Sequence, residues 1–549
     1  MENVLLTPSQ LWADYSPQVI SAIAYKQYQD KGDYFYFETY CNGEKYSDGA
    51  VRIFVRGYAP KKHNGKVVVV VEDCEKNKDE TFFLSFVRDG NAVVVFDYLG
   101  KTNGVEDCTI YPQSISYANF VMAGEHLTKA TPSARETCVF VWAKACRIVL
   151  SLVKQMFGEQ STVILCGIKN GSEIAWQVAA QDARVNGFVS FLNFGWKEYC
   201  DISKYDANGD IAVDDEKERW LMACSVQAYA KFVACPTLLL SASNNAFYSF
   251  DRLENTIGVM EKSPQVTNYT CAGLANSIDE SATKLTAEWL RRLGSNQKLP
   301  QMPTLSFAVE NNQVFATVAA DMSEDITQIE ICYSLDETDS AMRNWNKINV
   351  SLANLRQAIA LVANNKKLFG FATVSYKSGF AISSVEAFLR LENKEIEYSP
   401  LKKCHIIFER KNGTAGWVAE NQFSYTQYIK PLLVAGGLDI MGITADDGNL
   451  STYLVGEAQY GSDETNLFQF DAFCEQEIDC DIVLSVKENK VVEKYIATVK
   501  LAPNKWKKFT LGIQDFKNSS RLSLKNWENI KKLSFSNVKG KLFNNILWV

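Results

Sequence analysis

Residues 50 to 295 alternate short apolar runs with longer amphipathic ones. The runs "KVVVVVE" (Lys66–Glu72) and "AVVVFDY" (Ala92–Tyr98) are rich in β-branched residues, which is typical of strands buried on both faces of a parallel sheet. Apolar residues on one face predict a long helix over Val139–Phe157. Further strands are predicted in "TVILCG", "NGFVSFLNFG" and "CPTLLLSAS", and a last helix over Asp279–Leu293. This order predicts a doubly wound, mainly parallel sheet.

The pattern changes to alternation with period two after the polar linker "GSNQKLPQMP" (Gly294–Pro303). Residues 304–394 have the size of an immunoglobulin-like β-sandwich. A second linker, "LENKEIEYSPLKK", leads to residues 403–549, where short strands at close spacing favour a jelly-roll-like β-sandwich. The sequence therefore predicts three domains, at residues 1–296, 304–394 and 403–549.

Charge and hydropathy narrow the classes of function. The chain of 549 residues has a net charge of −7, so it lacks the basic surplus of a nucleic-acid-binding protein, and no nucleic-acid partner is expected. No apolar run reaches the length of a transmembrane helix, and the N-terminus lacks the pattern of a secretory signal. We therefore expect no membrane partner.

The fourteen cysteines form no CxxC motif, and none is spaced with a histidine as a zinc ligand would be. This favours free thiols in a reducing compartment, so the chain is interpreted as cytoplasmic. The stretch "DANGDIAVDDE" (Asp206–Glu216) has Ile211 where a calcium loop needs glycine, and it is interpreted as an acidic surface loop. No metal and no cofactor are expected.

The stretch "VILCGIKNGSEIAW" (Val163–Trp176) has the form of a nucleophile elbow, in which a strand turns sharply into a helix. The usual frame reads G-x-S-x-G, with serine exposed at the apex of the turn. Here Gly167 and Gly171 frame Lys169. The backbone frame is present and the serine is not.

Together with "VVVFDYLGK", "ARETCVFVWA" and "CPTLLLSASNNAFYSFD", this elbow resembles α/β-hydrolases of the acetyl xylan esterase and cephalosporin deacetylase kind. It is also similar to the PhoPQ-activated pathogenicity-related proteins, in which a sandwich follows the hydrolase domain. The resemblance implies an α/β-hydrolase fold for residues 1–296, with a serine, an acid and a histidine in chain order. Those positions fall on Lys169, Asn245 and Asn276, so the resemblance implies a degenerate catalytic triad.

The histidines support this interpretation without an alignment. The chain has only His63, His126 and His405, and none lies between the elbow and the end of the first predicted domain. The turn that would donate N–H groups to an oxyanion reads "EDCE" at residues 72–75. Carboxylates there would oppose a developing negative charge.

Two roles for Lys169 stay open. A lysine held in a dry pocket can act as a free amine and form a Schiff base. Alternatively, it extends to solvent or pairs with one of the nearby carboxylates, Glu72, Asp73 or Glu173. Ser172, just past the elbow, is interpreted as a capping or packing residue rather than a nucleophile.

The last domain resembles bacterial carbohydrate-binding modules with a jelly-roll fold, on "NLFQFDAF", "WKKFTLGIQDFKNSS" and "NNILWV". Sugar binding needs aromatic faces exposed beside polar groups. The candidate ligand-binding residues by composition are Trp417, Tyr425, Tyr428, Tyr453 and Tyr460. The middle domain, with "CYSLDETDSAMRNW", is similar to the sandwich of the hydrolase-like proteins and is assigned a spacer or interface role.

These observations predict a non-catalytic α/β-hydrolase-like protein, a pseudoenzyme, that binds a glycan or a protein partner. The alternative is a carbohydrate esterase or deacetylase-type hydrolase with an unorthodox active site. A third hypothesis is a structural protein that assembles through its sandwiches. The sequence predicts no particular oligomeric state.

Overall fold

The computed structural model describes residues 4–17, 23–74, 80–101, 107–196, 204–205, 214–295, 297–362, 365–409, 411, 413–420, 429–434, 440–445, 448–463, 466–488 and 491–549. These residues form five β-sheets, and helices accompany the first of them. The mainly parallel sheet comes first in the chain and carries the candidate site.

Nine strands form the first sheet, in the order β1-β2-β3-β5-β4-β6-β7-β8-β9. Strands β4 to β9 pair in parallel, and β1, β2 and β3 add an antiparallel edge. The exchange of β4 and β5 along the sheet is the strand order of α/β-hydrolases, so the predicted fold of the N-terminal half is confirmed. The bounds are β1 Ala24–Asp30, β2 Tyr34–Tyr46, β3 Gly49–Pro60, β4 Lys66–Val71, β5 Ala92–Phe96, β6 Thr162–Ile168, β7 Val185–Phe191, β8 Thr237–Ala242 and β9 Val266–Cys271.

Helices cover both faces of this sheet, which is why β4 and β5 are buried along their length. The helix predicted over Val139–Phe157 is α3, but its burial is not confined to one face, since Lys144 and Arg147 are buried as well. Arg147 meets the buried Asp182 at 3.0 Å. The helices are α1 Pro8–Trp12, α2 Thr81–Arg88, α3 Cys138–Phe157, α4 Asn170–Gln181, α5 Asp215–Cys224, α6 Val226–Tyr229, α7 Leu253–Gly258 and α8 Glu280–Arg292.

The sequence pattern did not predict strand β9, which pairs with β8 at the edge of the sheet. Its buried positions include Thr267, Asn268 and Thr270, so it lacks an apolar run. The Ser241 hydroxyl of β8 bonds to Asn268 Oδ1 and to the Thr270 hydroxyl, and these contacts replace apolar packing. A strand whose buried face is polar carries little hydrophobic signal.

The region after the first linker holds two sheets, β10-β11-β14 and β13-β12-β15-β16, with β17 paired to β15. It is strand-rich as predicted, while the immunoglobulin-like type stays a prediction. The bounds are β10 Thr304–Glu310, β11 Gln313–Ala319, β12 Ile326–Leu335, β13 Asn346–Val350, β14 Arg356–Ile359, β15 Lys367–Tyr376, β16 Ala381–Ser383 and β17 Ala387–Arg390.

The last region also holds two sheets, β20-β21-β28-β23-β26 with β18 paired to β28, and β19-β22-β27-β24-β25. One apolar core joins them, as in a β-sandwich, while the jelly-roll type stays a prediction. The bounds are β18 Ile406–Phe408, β19 Trp417–Glu420, β20 Ile429–Val434, β21 Ile440–Ala445, β22 Asn449–Thr452, β23 Phe468–Cys474, β24 Ile478–Glu488, β25 Val491–Leu501, β26 Lys507–Leu511, β27 Ile530–Phe535 and β28 Lys541–Trp548.

A buried ion cluster joins the first region to the second. The Arg343 guanidinium is fully buried and contacts Asp251 at 2.5 Å and Glu386 at 2.6 Å. Its face lies 3.8 Å from the centroid of the Phe369 ring. Asn244, which follows β8, donates to the Arg343 carbonyl at 2.8 Å. The segment after β8 is therefore attached directly to the second region.

Thirteen cysteines are free in the part of the chain that the structure describes; Cys74 and Cys404 are half-buried and the others are buried. Within the same residues, no helix has the length and apolar character needed to cross a bilayer. Among the described side chains, no group of three or more His, Cys, Asp or Glu is arranged to hold a metal ion. The stretch 206–213, interpreted as an acidic loop, lies outside the described residues.

Candidate functional site

The candidate site begins at the turn between β6 and α4. Lys169 follows β6 directly, has φ 47° and ψ −113°, and precedes the first residue of α4. Such a conformation is strained for a non-glycine residue, and a strained strand-to-helix turn is the geometry of a nucleophile elbow. The Lys169 N–H donates to the Phe191 carbonyl at 2.9 Å, and Asn193 Nδ2 donates to the Lys169 carbonyl at 3.1 Å. The elbow is present, with a lysine at its apex.

The two glycines of the motif are required by close packing. A Cβ atom on Gly167 would lie 2.4 Å from the Ser172 Cα atom, and one on Gly171 would lie 2.2 Å from the Glu72 carbonyl oxygen. The first residues of α4 therefore press against the end of β4. Ser172 is fully buried and hydrogen-bonded to Ser190, which agrees with a packing residue rather than a nucleophile.

The elbow opens into a pocket of about 540 Å³, which we call the elbow pocket. This volume is ordinary for a small-molecule site. The predicted triad positions Lys169, Asn245 and Asn276 all line it, although they come from three separate loops. Its lining, among the described residues, is Asp73, Cys74, Tyr98, Phe120, Leu127, Thr128, Val139, Trp142, Lys169, Asn170, Glu173, Ile174, Leu192, Asn245, Phe247, Tyr248 and Asn276.

Lys169 is ion-paired. Its Nζ atom lies 3.3 Å from Asp73 Oδ2, with the two side chains 18% and 7% exposed. Pairing with this carboxylate is one of the alternatives that the sequence left open. The neighbouring Glu72 pairs instead with Arg56 at 2.8 Å. An ammonium group in an ion pair has no lone pair with which to attack a carbonyl carbon.

Asn245, the predicted acid position, lies just after β8, and its side chain is hydrogen-bonded to backbone groups. Its Oδ1 atom accepts hydrogen bonds from the N–H groups of Phe247 at 2.9 Å and Tyr248 at 3.0 Å. Its Nδ2 atom donates to the Ala275 carbonyl at 2.9 Å. Since an aspartate would lose that donor, the amide shapes this wall of the pocket.

Asn276, the predicted histidine position, lies between β9 and α8 and is exposed at the pocket rim. None of the three histidines is among the described lining residues. His126 stacks on Tyr117 at 4.3 Å, and its Nδ1 atom lies 2.8 Å from the Glu136 carbonyl. His63 and His405 are exposed. The described walls of the pocket therefore offer no imidazole base.

Two tyrosines bring hydroxyl groups into the pocket. Tyr248 donates to Glu173 Oε1 at 2.7 Å. Burial, reinforced by the charge of Glu173, raises the pKa of Tyr248 well above its usual range. Burial also raises the pKa of Tyr98, together with the charge of Asp73. The Tyr98 hydroxyl is buried and has no hydrogen-bond partner among the described residues.

Sequence reasoning missed Tyr98 and did not consider Cys74 as a nucleophile. The Cys74 thiol is half-buried in the pocket, and its Sγ atom accepts a hydrogen bond from Asn170 Nδ2 at 3.0 Å. Both residues follow parallel strands, β4 and β5. Position at the carboxyl ends of neighbouring strands is the signal that could have identified them.

Two of the aromatic candidates in the last region are buried. Trp417 is buried between Phe408 and Phe535, and Tyr453 is buried as well, so neither offers a face to a sugar. Both were chosen by composition, which does not distinguish core aromatic residues from exposed ones. Tyr460 is half-buried, and its carbonyl accepts a hydrogen bond from Trp548. Tyr425 and Tyr428 lie outside the described residues.

Comparison with known proteins gives matches among solved structures alone. No protein-family model matches the chain, and no curated protein matches it either. One structural match is acetyl xylan esterase 1 from Thermoanaerobacterium sp. JW/SL YS485, with a TM-score of 0.38 and 14% identity, covering 52% of this chain and 94% of that one. Another is acetyl xylan esterase from Paenibacillus sp. R4, with a TM-score of 0.36 and 15% identity, covering 52% of this chain and 90% of that one.

A third match is a cold-adapted esterase from an Arctic intertidal metagenomic library, with a TM-score of 0.34 and 12% identity, covering 50% of this chain and 99% of that one. The names of these proteins agree with the alternative prediction, an ester hydrolase, better than with the main one. TM-scores below 0.5 carry no argument about activity. The fold assignment therefore rests on the strand order and the elbow.

Proposed function

We propose that this chain is a non-catalytic α/β-hydrolase-like protein, which binds a ligand at the elbow pocket without hydrolysing it. One observation supports the proposal above the others. The three positions that would carry an acyl-transfer triad meet in one pocket, and they hold an ion-paired lysine and two amides. The frame of a hydrolase site is retained while its reactive groups are replaced.

The chemistry of ester hydrolysis explains why these replacements matter. A serine nucleophile needs a base within hydrogen-bond reach, and the base needs a carboxylate to orient it. An oxyanion also needs donors, but Asp73 and Glu173 bring carboxylates into the same pocket. A tetrahedral intermediate would develop its negative charge next to them.

An ester hydrolase with an unorthodox site is the second candidate, and Cys74 favours it. A thiol is a better nucleophile than a hydroxyl group, and the Cys74 Sγ atom already accepts a hydrogen bond from Asn170. This candidate also agrees with the names of the structural matches.

Hydrolysis of p-nitrophenyl acetate and of an acetylated xylo-oligosaccharide by the full chain separates the two candidates. Lys169→Ala and Cys74→Ser are the test variants. Lys284→Ala is the matched control, because Lys284 is exposed on α8 and pairs with Glu280 outside the pocket. We expect no turnover above the buffer rate from any of them.

Turnover that persists in the control and disappears in Lys169→Ala would overturn the proposal and make the elbow lysine catalytic. Loss in Cys74→Ser instead would assign the reaction to the thiol. For the binding partner, a glycan or a protein is proposed, with a cytoplasmic location. A glycan array probed with the full chain tests the glycan, and the absence of any bound glycan would leave the protein partner.

A further inference from the structure

The charges of the elbow pocket do not balance. Asp73 and Glu173 are buried carboxylates in its wall, and Lys169 is the one cation in the part of the lining that the structure describes. Two carboxylates and one ammonium group leave a formal charge of −1. The nearby Arg56 and Glu72 pair with each other and do not change that sum. The pocket is therefore better suited to a cation than to an anion.

The wall around these charges is aromatic. Tyr98 and Trp142 lie 5.0 Å apart between ring centroids, and Phe120 lies 6.5 Å from Trp142. Tyr248 lines the pocket as well, and Phe247 does so while 64% exposed. Aromatic faces attract organic cations and also pack against apolar groups. The wall therefore suits a ligand that joins a positive charge to an apolar body.

The Tyr98 hydroxyl points independently to a ligand. Tyr98 lines the pocket, and its hydroxyl is buried and has no hydrogen-bond partner among the described residues. Buried polar groups in native proteins are nearly always hydrogen-bonded, so an unpaired hydroxyl on a residue of the pocket wall suggests a ligand atom as its partner. A tyrosine hydroxyl can both donate and accept hydrogen bonds, so its oxygen is able to accept one from a cationic N–H group.

We propose that the elbow pocket binds a small organic ammonium ion, with the ammonium group near Asp73 and Glu173 and an apolar body against the aromatic wall. The inference rests on the proposed binding function of this pocket. A carboxylate ligand would gain the contact with Lys169 but would face both wall carboxylates. A neutral ligand would leave the charge of the pocket uncompensated.

Three probes that share a phenylethyl group test this at pH 7 and low salt. They are 2-phenylethylammonium, 2-phenylethanol and 3-phenylpropanoate, titrated into the full chain by calorimetry. We expect the ammonium ion to bind about tenfold more tightly than the carboxylate, with the alcohol between them, and added salt to weaken the ammonium ion selectively. Glucosamine is a fourth probe, which distinguishes an amino sugar from an amine with an apolar body.

Two variants that change the charge of the pocket should change its affinity for the ammonium ion in opposite directions. Lys169→Met removes the competing cation, so the affinity for 2-phenylethylammonium rises about fivefold. Glu173→Gln keeps an acceptor for the Tyr248 hydroxyl but removes a charge, so the affinity falls by a similar factor. Lys284→Met and Glu280→Gln make the same changes in an exposed pair on α8 and leave the affinity unchanged. A loss of folding cannot produce an increase in affinity, so Lys169→Met stays informative.

Alkylation of Cys74 by iodoacetamide, read by peptide mass spectrometry, locates the probe, because an occupant of the pocket slows that reaction. Binding of the ammonium ion with these variant effects supports the inference. Tighter binding of the carboxylate or the alcohol would overturn it while leaving a ligand-binding pocket. Binding of none of the probes would also overturn it. Ester hydrolysis by the same protein would instead overturn the proposed function, so the two failures are distinguishable.

Discussion

Replacing Arg343 by methionine tests how the first and second regions are held together. The guanidinium is fully buried and forms ion pairs with Asp251 and Glu386. It also donates to the carbonyls of Glu337 at 2.8 Å and Thr338 at 3.2 Å. Methionine fills similar space but leaves two carboxyl groups and two carbonyls without this donor.

The expected cost follows from that burial. Removing one partner of a buried ion pair costs about 3–5 kcal/mol, because the remaining charge stays buried without compensation. The entropy of unfolding is about 2.1 cal/mol/K per residue, or roughly 0.8 kcal/mol/K for residues 1–394 as one cooperative unit. Arg343→Met should therefore lower the midpoint of thermal unfolding by about 4–6 °C.

Differential scanning calorimetry of the full chain measures this shift. Arg356→Met is the matched control, since Arg356 pairs with Glu310 on the surface, where both side chains are at least 40% exposed. The control should change the stability by less than about 1 kcal/mol. A midpoint for Arg343→Met within 1 °C of the control would refute the reasoning and show that the buried cluster does not stabilise the interface.

Three further outcomes follow from single side chains. Burial, reinforced by the charge of Asp251, raises the pKa of Glu386 above its ordinary value of 4.5. The folded protein then holds a proton that the unfolded chain releases, so the free energy of unfolding falls as the pH rises above that value. Glu386→Gln should flatten this dependence when unfolding is measured over a range of pH. Asn245→Asp removes the donor to the Ala275 carbonyl and should lower the free energy of unfolding by about 1–3 kcal/mol in chemical denaturation. Asn276→Asp at the exposed rim should lower it by less than about 0.5 kcal/mol. Equal losses in the two variants would contradict the role given to the Asn245 amide. Trp417→Ala should destabilise the last region by about 3–5 kcal/mol, which is more than the control Trp506→Ala at a half-buried site. A loss of glycan binding with unchanged stability would instead identify Trp417 as a sugar-binding residue.

The parts of the fold that the sequence predicted are those fixed by local rules. The runs that form β4 and β5 are apolar at nearly every position, so neither face of these strands can be exposed to water. Their pattern alone therefore predicts strands in the middle of a covered sheet. The elbow was recognisable because any residue other than glycine at positions 167 and 171 would place its Cβ atom too close to neighbouring atoms. A steric requirement of this kind is visible in the sequence as two glycines at fixed spacing.

The parts that the sequence could not predict depend on which residues meet in space. The elbow pocket joins side chains that follow β4, β5, β6, β8 and β9, and no periodicity links positions so far apart in the chain. Strand β9 was missed because its buried face is polar. The burial of Trp417 could not be predicted either, since an aromatic residue of a small sandwich has the same composition signal whether it packs inside or faces solvent.

The adjacent amides Asn244 and Asn245, just after β8, have two different structural roles. Asn244 donates to the Arg343 carbonyl and accepts from the Trp345 indole, so it attaches the end of β8 to the second region. Asn245 donates to the Ala275 carbonyl and accepts two backbone N–H groups, so it shapes the pocket wall. An ionised carboxylate accepts but cannot donate, and it would fail at both positions. Two adjacent amides therefore link the pocket wall to the domain interface, and a ligand in the pocket and a change at the Arg343 cluster are expected to influence each other through them.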